Sequence, residues 1–178
     1  MNHQPRSDRP PTEAPSSGRA ALLGIYLNDH LAGATAGTDR ARALAGALRG
    51  SPSGPTLRTL AQEITEDRAS LLAIMDALDI PVRHYKVSLA WAAEKVGRLK
   101  SNGRLVGRSP LTSLVELEIL RLGVLGKAAA WQTLRLLAES DDRLDARLLD
   151  ELLERADRQQ ATLEELRRRQ TTETFRAA

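Results

Sequence analysis

Apolar residues recur every three to four positions in five stretches of the chain, the period of an amphipathic helix. The first stretch predicts a helix from about Ser17, its N-cap, to Arg49, where Gly50-Ser51-Pro52 stops it. Its expected buried face carries Leu23, Tyr26, Ala34, Gly37, Ala41, Leu44 and Leu48, with His30 at the centre. Gly24, Gly33, Gly37 and Gly46 fall inside this helix, and each costs about 1 kcal/mol against Ala. Close approach of a neighbouring backbone is their expected use. A phosphate-binding loop is excluded, because such glycines precede a helix N-terminus.

The second helix begins at Pro55, a favourable first helical position. Leu57, Leu60, Ile64, Asp67, Leu71, Ile74 and Leu78 follow a strict heptad pattern that ends before Pro81. A shorter third segment, about Val82 to Lys100, places Tyr85, Leu89, Ala92, Val96 and Leu99 on one face. Ser109-Pro110 opens the fourth helix, which runs to about Ser140 and is apolar on two sides. One side carries Leu111, Val115, Leu122, Leu125, Ala129 and Leu136, the other Leu117, Leu120, Val124, Ala128 and Trp131. Such a helix is either central in its domain or also used by a partner. Leu117, Leu120, Val124 and Trp131 are therefore the expected surface for a homodimer or another protein. The fifth helix starts near Asp141-Asp142 and ends in Arg167-Arg168-Arg169, signs that suit the helix dipole. Its apolar face is Leu148, Leu149, Leu152, Ala156, Leu163 and Leu166.

Short loops join the first helix to the second and the fourth to the fifth, which makes two antiparallel hairpins. A link of about thirty residues joins the hairpins and is long enough to leave the second and fourth helices parallel. The expected fold class is all-α, a four-helix bundle with a short fifth helix in the crossover between helices two and three of the bundle. The bundle domain is expected over residues 18–170. Residues 1–17, rich in Pro, Ser and Arg, read as a disordered tail, and 171–178 as a frayed one.

Composition narrows this picture. Aromatic residues are only 3%, which argues against a sandwich or barrel, and cysteine is absent. No run reaches the roughly 18 apolar residues of a membrane span, and the first residues lack the apolar core of a secretory signal. A cytoplasmic protein is expected.

The polar residues inside the apolar stripes carry the candidate chemistry. Asp67 occupies a heptad position between Ile64 and Leu71, and Glu63 lies one turn earlier at the stripe's edge. Glu118 falls between Val115 and Leu122, and Gln159 and Gln160 flank the fifth helix's stripe. A buried charge must be paired, hydrogen-bonded, bound to metal or neutralised. The favoured reading is a structural layer in which His30 meets Asp67 or Glu118, closed by the glutamines. The alternative is a metal site of His30, Glu63, Asp67 and Glu118.

Four long helices, a long crossover and inward carboxylates resemble the ferritin-like superfamily, a likeness that covers about residues 18–169. In its metal-bearing members two helices each give a Glu and two give Glu-x-x-His. Glu118 resembles one acidic position, and Glu63 or Asp67 another. The histidines are missing: Glu66 follows Glu63 by three, Ser70 follows Asp67, Arg121 follows Glu118 and Gln160 follows Asp157. No cofactor is therefore expected, and iron or manganese would be the ions implied by the resemblance. The segment YLNDHLAGATAG also resembles a stretch of actinobacterial proteins to which no activity is assigned.

Between Pro81 and Pro110 stand Arg83, Lys86, Lys95, Arg98, Lys100, Arg104 and Arg108 against Glu94 alone. This segment is +6 in a chain of net charge +3, so the remainder is −3. Its residues are anion-binding candidates for nucleic acid or an anionic membrane, set against a merely solvated helix. The leading functional expectation is a non-catalytic helical bundle, a scaffold or interaction module with a structural polar core. A degenerate ferritin-like metal-binding or redox protein is the runner-up, and an electrostatic binder through residues 81–110 the third.

Overall fold

The computed structural model describes residues 15–83 and 109–176. Among them are four helices and no strand: α1 (Pro15–Ala47), α2 (Gly54–Ala77), α3 (Pro110–Leu137) and α4 (Ala146–Phe175). The short helix expected from Val82 to Lys100 lies outside the described residues except for Val82 and Arg83, which are not helical. Helix α1 begins inside the stretch assigned above to a tail. Helix α4 extends to Phe175, so residues 171–175 are helical rather than frayed, and Gln170 is buried.

Local chemistry explains the ends. Pro55 and Pro110 stand in the first turns of α2 and α3, where the missing N–H costs nothing. Gly54 is held tightly: a Cβ there would lie 2.7 Å from the Arg49 carbonyl oxygen and 2.8 Å from that of Leu48. Only glycine fits this hairpin. Helix α2 closes on a Schellman motif, with Ile80 N–H donating to Met75 O (2.9 Å) and Asp79 N–H to Asp76 O (3.0 Å). The motif needs a left-handed residue, and Asp79 supplies it at φ 56°. The true cap of α4 is Asp145, whose carboxylate accepts from the backbone N–H groups of Arg147 and Leu148. Asp141, expected to start that helix, instead braces the loop by accepting from Arg143 Nη2 at 2.7 Å.

Contacts between helices fix their directions. Helix α1 packs against α2 and α3, and α3 against α4. Thr35 meets Arg68 while Asn28 meets Pro81, so α1 and α2 are antiparallel. Tyr26 meets Thr133 while Arg40 meets Glu116, so α1 and α3 are antiparallel. Arg135 meets Asp150 while Arg121 meets Glu164, so α3 and α4 are antiparallel. Helices α2 and α3 therefore run the same way.

Every heptad residue of α2 from Leu57 to Leu78 is buried, as expected, Asp67 included. The face of α1 differs from expectation. Leu27, Leu31, Thr38, Ala41, Leu44 and Ala45 are buried, while Tyr26 and Ala34 are only partly so. Two leucines one turn apart bury more apolar area than the tyrosine and small residues they displace, and they turn the helix. The glycines of α1 also differ from expectation: a Cβ at Gly33, Gly37 or Gly46 would touch nothing within 4 Å, and at Gly24 would meet only the Ile80 side chain at 3.8 Å.

On α3 the inward face is Leu117, Leu120, Val124, Ala128, Trp131 and Leu134. The four residues expected to form a partner surface are therefore core, at most 3% exposed. The opposite face stays open, with Leu122 67%, Leu125 59% and Leu136 68% exposed. No helix among the described residues is long and apolar enough to cross a membrane.

Candidate functional site

A charged cluster lies inside the bundle, centred on Asp67. Its carboxylate is 2% exposed and faces two cations from two other helices, Lys127 of α3 and Arg155 of α4. Oδ2 accepts from Lys127 Nζ and from Gln159 Nε2, the latter at 3.0 Å. Oδ1 lies 2.8 Å from Arg155 Nε, at an angle that makes this an ion pair rather than a hydrogen bond. Gln159, buried, donates through the same Nε2 to Glu63 Oε2 (3.1 Å) and accepts from Lys127 at Oε1. Arg155 reaches Glu66 at 3.3 Å, and Glu66 accepts from Gln62 at 3.1 Å.

Helix spacing puts these groups together. Lys127 follows Val124 by three residues and precedes Trp131 by four, so it stands in the inward stripe. Arg155 and Gln159 continue the row begun by Leu152. Burial pushes the Lys127 ammonium below the ordinary lysine value, the charge and hydrogen bond of Asp67 oppose that, and Arg155 adds to the lowering. Lys127 is mostly buried, with 14% of its side chain exposed, and its ammonium sits on the Asp67 carboxylate and the Gln159 amide oxygen.

The expected convergence of His30, Asp67 and Glu118 does not occur. The Thr35–Arg68 contact sets Asp67 near the level of residue 36, so His30 is about 9 Å away along the axis. The contacts of α1 with α3 set Glu118 near the level of residue 39, about 14 Å along the axis from His30. Glu118 is exposed and lines a shallow depression of about 450 Å³ with Arg121, Leu122, Glu164 and Arg167. His30 is half-buried and packs edge-on to Tyr26, with ring centroids 4.5 Å apart. Burial lowers its pKa, and Asp29 partly offsets this. Of the four metal-site candidates only Glu63 and Asp67 share a cluster, and they are joined through Gln159.

The donor set does not suit a metal ion. Both Asp67 oxygens already face cations, and the ammonium of Lys127 takes the place an ion would need. No group of three or more acidic or histidine side chains among the described residues could hold a metal ion. Of the anion-binding candidates, Lys86, Lys95, Arg98, Lys100, Arg104 and Arg108 lie outside the described residues. Arg83 is exposed, and its backbone N–H donates to Asn28 Oδ1 at 2.6 Å.

No protein-family model, curated protein or solved structure matches the chain.

Proposed function

We propose that this protein is a non-catalytic helical bundle that acts as an interaction module and associates with itself through the outer face of α3. The observation that carries the reading is the pair of faces on that helix. The inner one is filled by Trp131 and its neighbours, while Leu122, Leu125 and Leu136 stand in solvent along one side. Apolar side chains aligned on a helix surface are the usual substance of a helix–helix interface. The Asp67 cluster is structural in this reading. It ties α2, α3 and α4 together by charge, and a shifted register would strand its ions.

The shared direction of α2 and α3 supports the ferritin-like connection. The engagement of Asp67 by Lys127 and Arg155, where an ion would need its oxygens, favours a member of that architecture whose polar core is structural. Light-scattering mass across a dilution series tests association. The wild type should pass from dimer to monomer on dilution, and Leu122→Glu with Leu125→Glu should be monomeric throughout with unchanged helix content. A wild type that is monomeric up to its solubility limit would refute the proposal.

A further inference from the structure

We propose that the groove between α1 and α2 binds a linear oligophosphate through Arg42, Arg49 and Arg58. The groove is an open depression of about 600 Å³ at the hairpin end of the two helices, and its lining shares no residue with the open face of α3 that mediates association in the reading above. Its floor is small and apolar: Ala45 and Ala61 are buried there, and Gly46 leaves the valley between the helices unfilled. Its rim is cationic. None of the three arginines forms an ion pair with a described residue, in a protein whose other helix arginines mostly do. The one acid in the lining, Glu66, already faces Arg155 and Gln62. Thr65, also in the lining, turns its hydroxyl to the Ala61 carbonyl at 2.7 Å. Among the described residues the groove thus has three arginines without an ion pair against one acid that is already engaged.

Their arrangement selects the ligand. Arg42 stands in the last turns of α1, and Arg49 lies just past its end, in the turn that leads to α2. In the register of the Thr35–Arg68 contact, Arg58 on the other wall falls opposite Ala45, between them in height. Three cations spread over both walls and the connecting turn are more than one carboxylate or one phosphate can engage, and they suit a chain of phosphates. All three are arginine, whose planar fork pairs with phosphate oxygens two at a time. A free oligophosphate and a nucleoside triphosphate share this chemistry, and the apolar floor would favour the second by giving its ring a surface.

Isothermal calorimetry of the whole chain with tripolyphosphate, and separately with ATP, both without divalent metal, tests the proposal. Saturable binding of either is expected. Equal affinities would assign the site to a free phosphate chain, and tighter ATP to a nucleotide. Arg42→Gln and Arg49→Gln should each weaken binding about tenfold, the loss of one charge-assisted contact. Gly46→Leu should also weaken it, by filling the groove, and it keeps the fold because a Cβ there meets nothing within 4 Å. The double variant Arg168→Gln with Arg169→Gln, on α4, should bind as the wild type does. The proposal is overturned if neither ligand binds, if a folded Gly46→Leu binds as well as the wild type, or if the α4 variant loses as much as the groove variants.

Discussion

Asp67 should be the most expensive single polar residue in the bundle to lose, and the most instructive. Replacing it with Leu keeps the branched shape at a somewhat larger volume and removes a buried carboxylate, which by itself relieves a desolvation cost. It also strands what the carboxylate holds: Lys127 and Gln159 lose a hydrogen-bond acceptor, and Arg155 loses the anion at 2.8 Å. Hydrogen bonds to charged groups contribute about 1.5–3 kcal/mol each, and breaking a buried pair costs about 3–5. Solvent reduces this, because Lys127 and Arg155 keep 14% and 23% of their side chains exposed and Arg155 retains Glu66. The expected cost of Asp67→Leu is about 3 kcal/mol. The double variant Asp67→Leu with Lys127→Met removes both buried partners and should cost far less than the two single changes together, a coupling of about 2 kcal/mol. Equilibrium urea unfolding followed by helix signal measures all four corners of the cycle, with the slope of the transition checking that compactness is unchanged. A single Asp67→Leu that is neutral or stabilising would show that the cluster holds nothing together, and additivity in the double variant would refute the coupling.

Further expectations come from individual contacts. Between the lowered pKa of Lys127 and the ordinary value of 10.5, the unfolded chain binds the extra proton, so stability should rise with pH in that alkaline window. Lys127→Met should abolish this rise when denaturation midpoints are compared across it. Glu164 is held at about 2 by hydrogen bonds from Arg167 and Arg168, so its contribution is complete above the ordinary 4.5 and fades as pH falls through about 2. Glu164→Gln should flatten that part of the acid limb, and added salt should do the same because the group is at the surface. His30→Ala should cost about 1 kcal/mol in thermal unfolding, the value of the edge-on ring contact with Tyr26; a loss of several kcal/mol would place it in the core. Asp79→Gly should stabilise by about 0.5 kcal/mol, because glycine takes the left-handed position without strain and the exposed contact with Arg143, at 3.7 Å, is weak; a lower midpoint in the variant would refute this.

The helices were legible wherever one stripe was clearly richer than its rivals. Helix α2 shows this best, since its heptad names its buried residues one by one. Helix α1 was harder, because AGATAG and the neighbouring small residues spread weak apolarity around the wheel. The stripe through Tyr26 and Ala34 then competes with the one through Leu27 and Leu31, and only packing decides between them. Helix α3 is ambiguous for a different reason: both faces are leucine-rich, and periodicity has no means of choosing which one turns inward. Charge does have such a means. A carboxylate fixed at a heptad position of α2 needs a partner, and a cation from a facing helix is one of the few that can supply it. Lys127 stands between Val124 and Trp131, and Arg155 between Leu152 and Gln159. Long basic side chains so often run along a surface that neither draws notice on a wheel of its own. The demand of Asp67 nevertheless singles both out. If Lys127 must face α2, then Val124 and Trp131 face inward with it, and Leu122, Leu125 and Leu136 are left outside. One buried carboxylate thus assembles the cluster, orients α3, and determines which of its leucines stay in solvent.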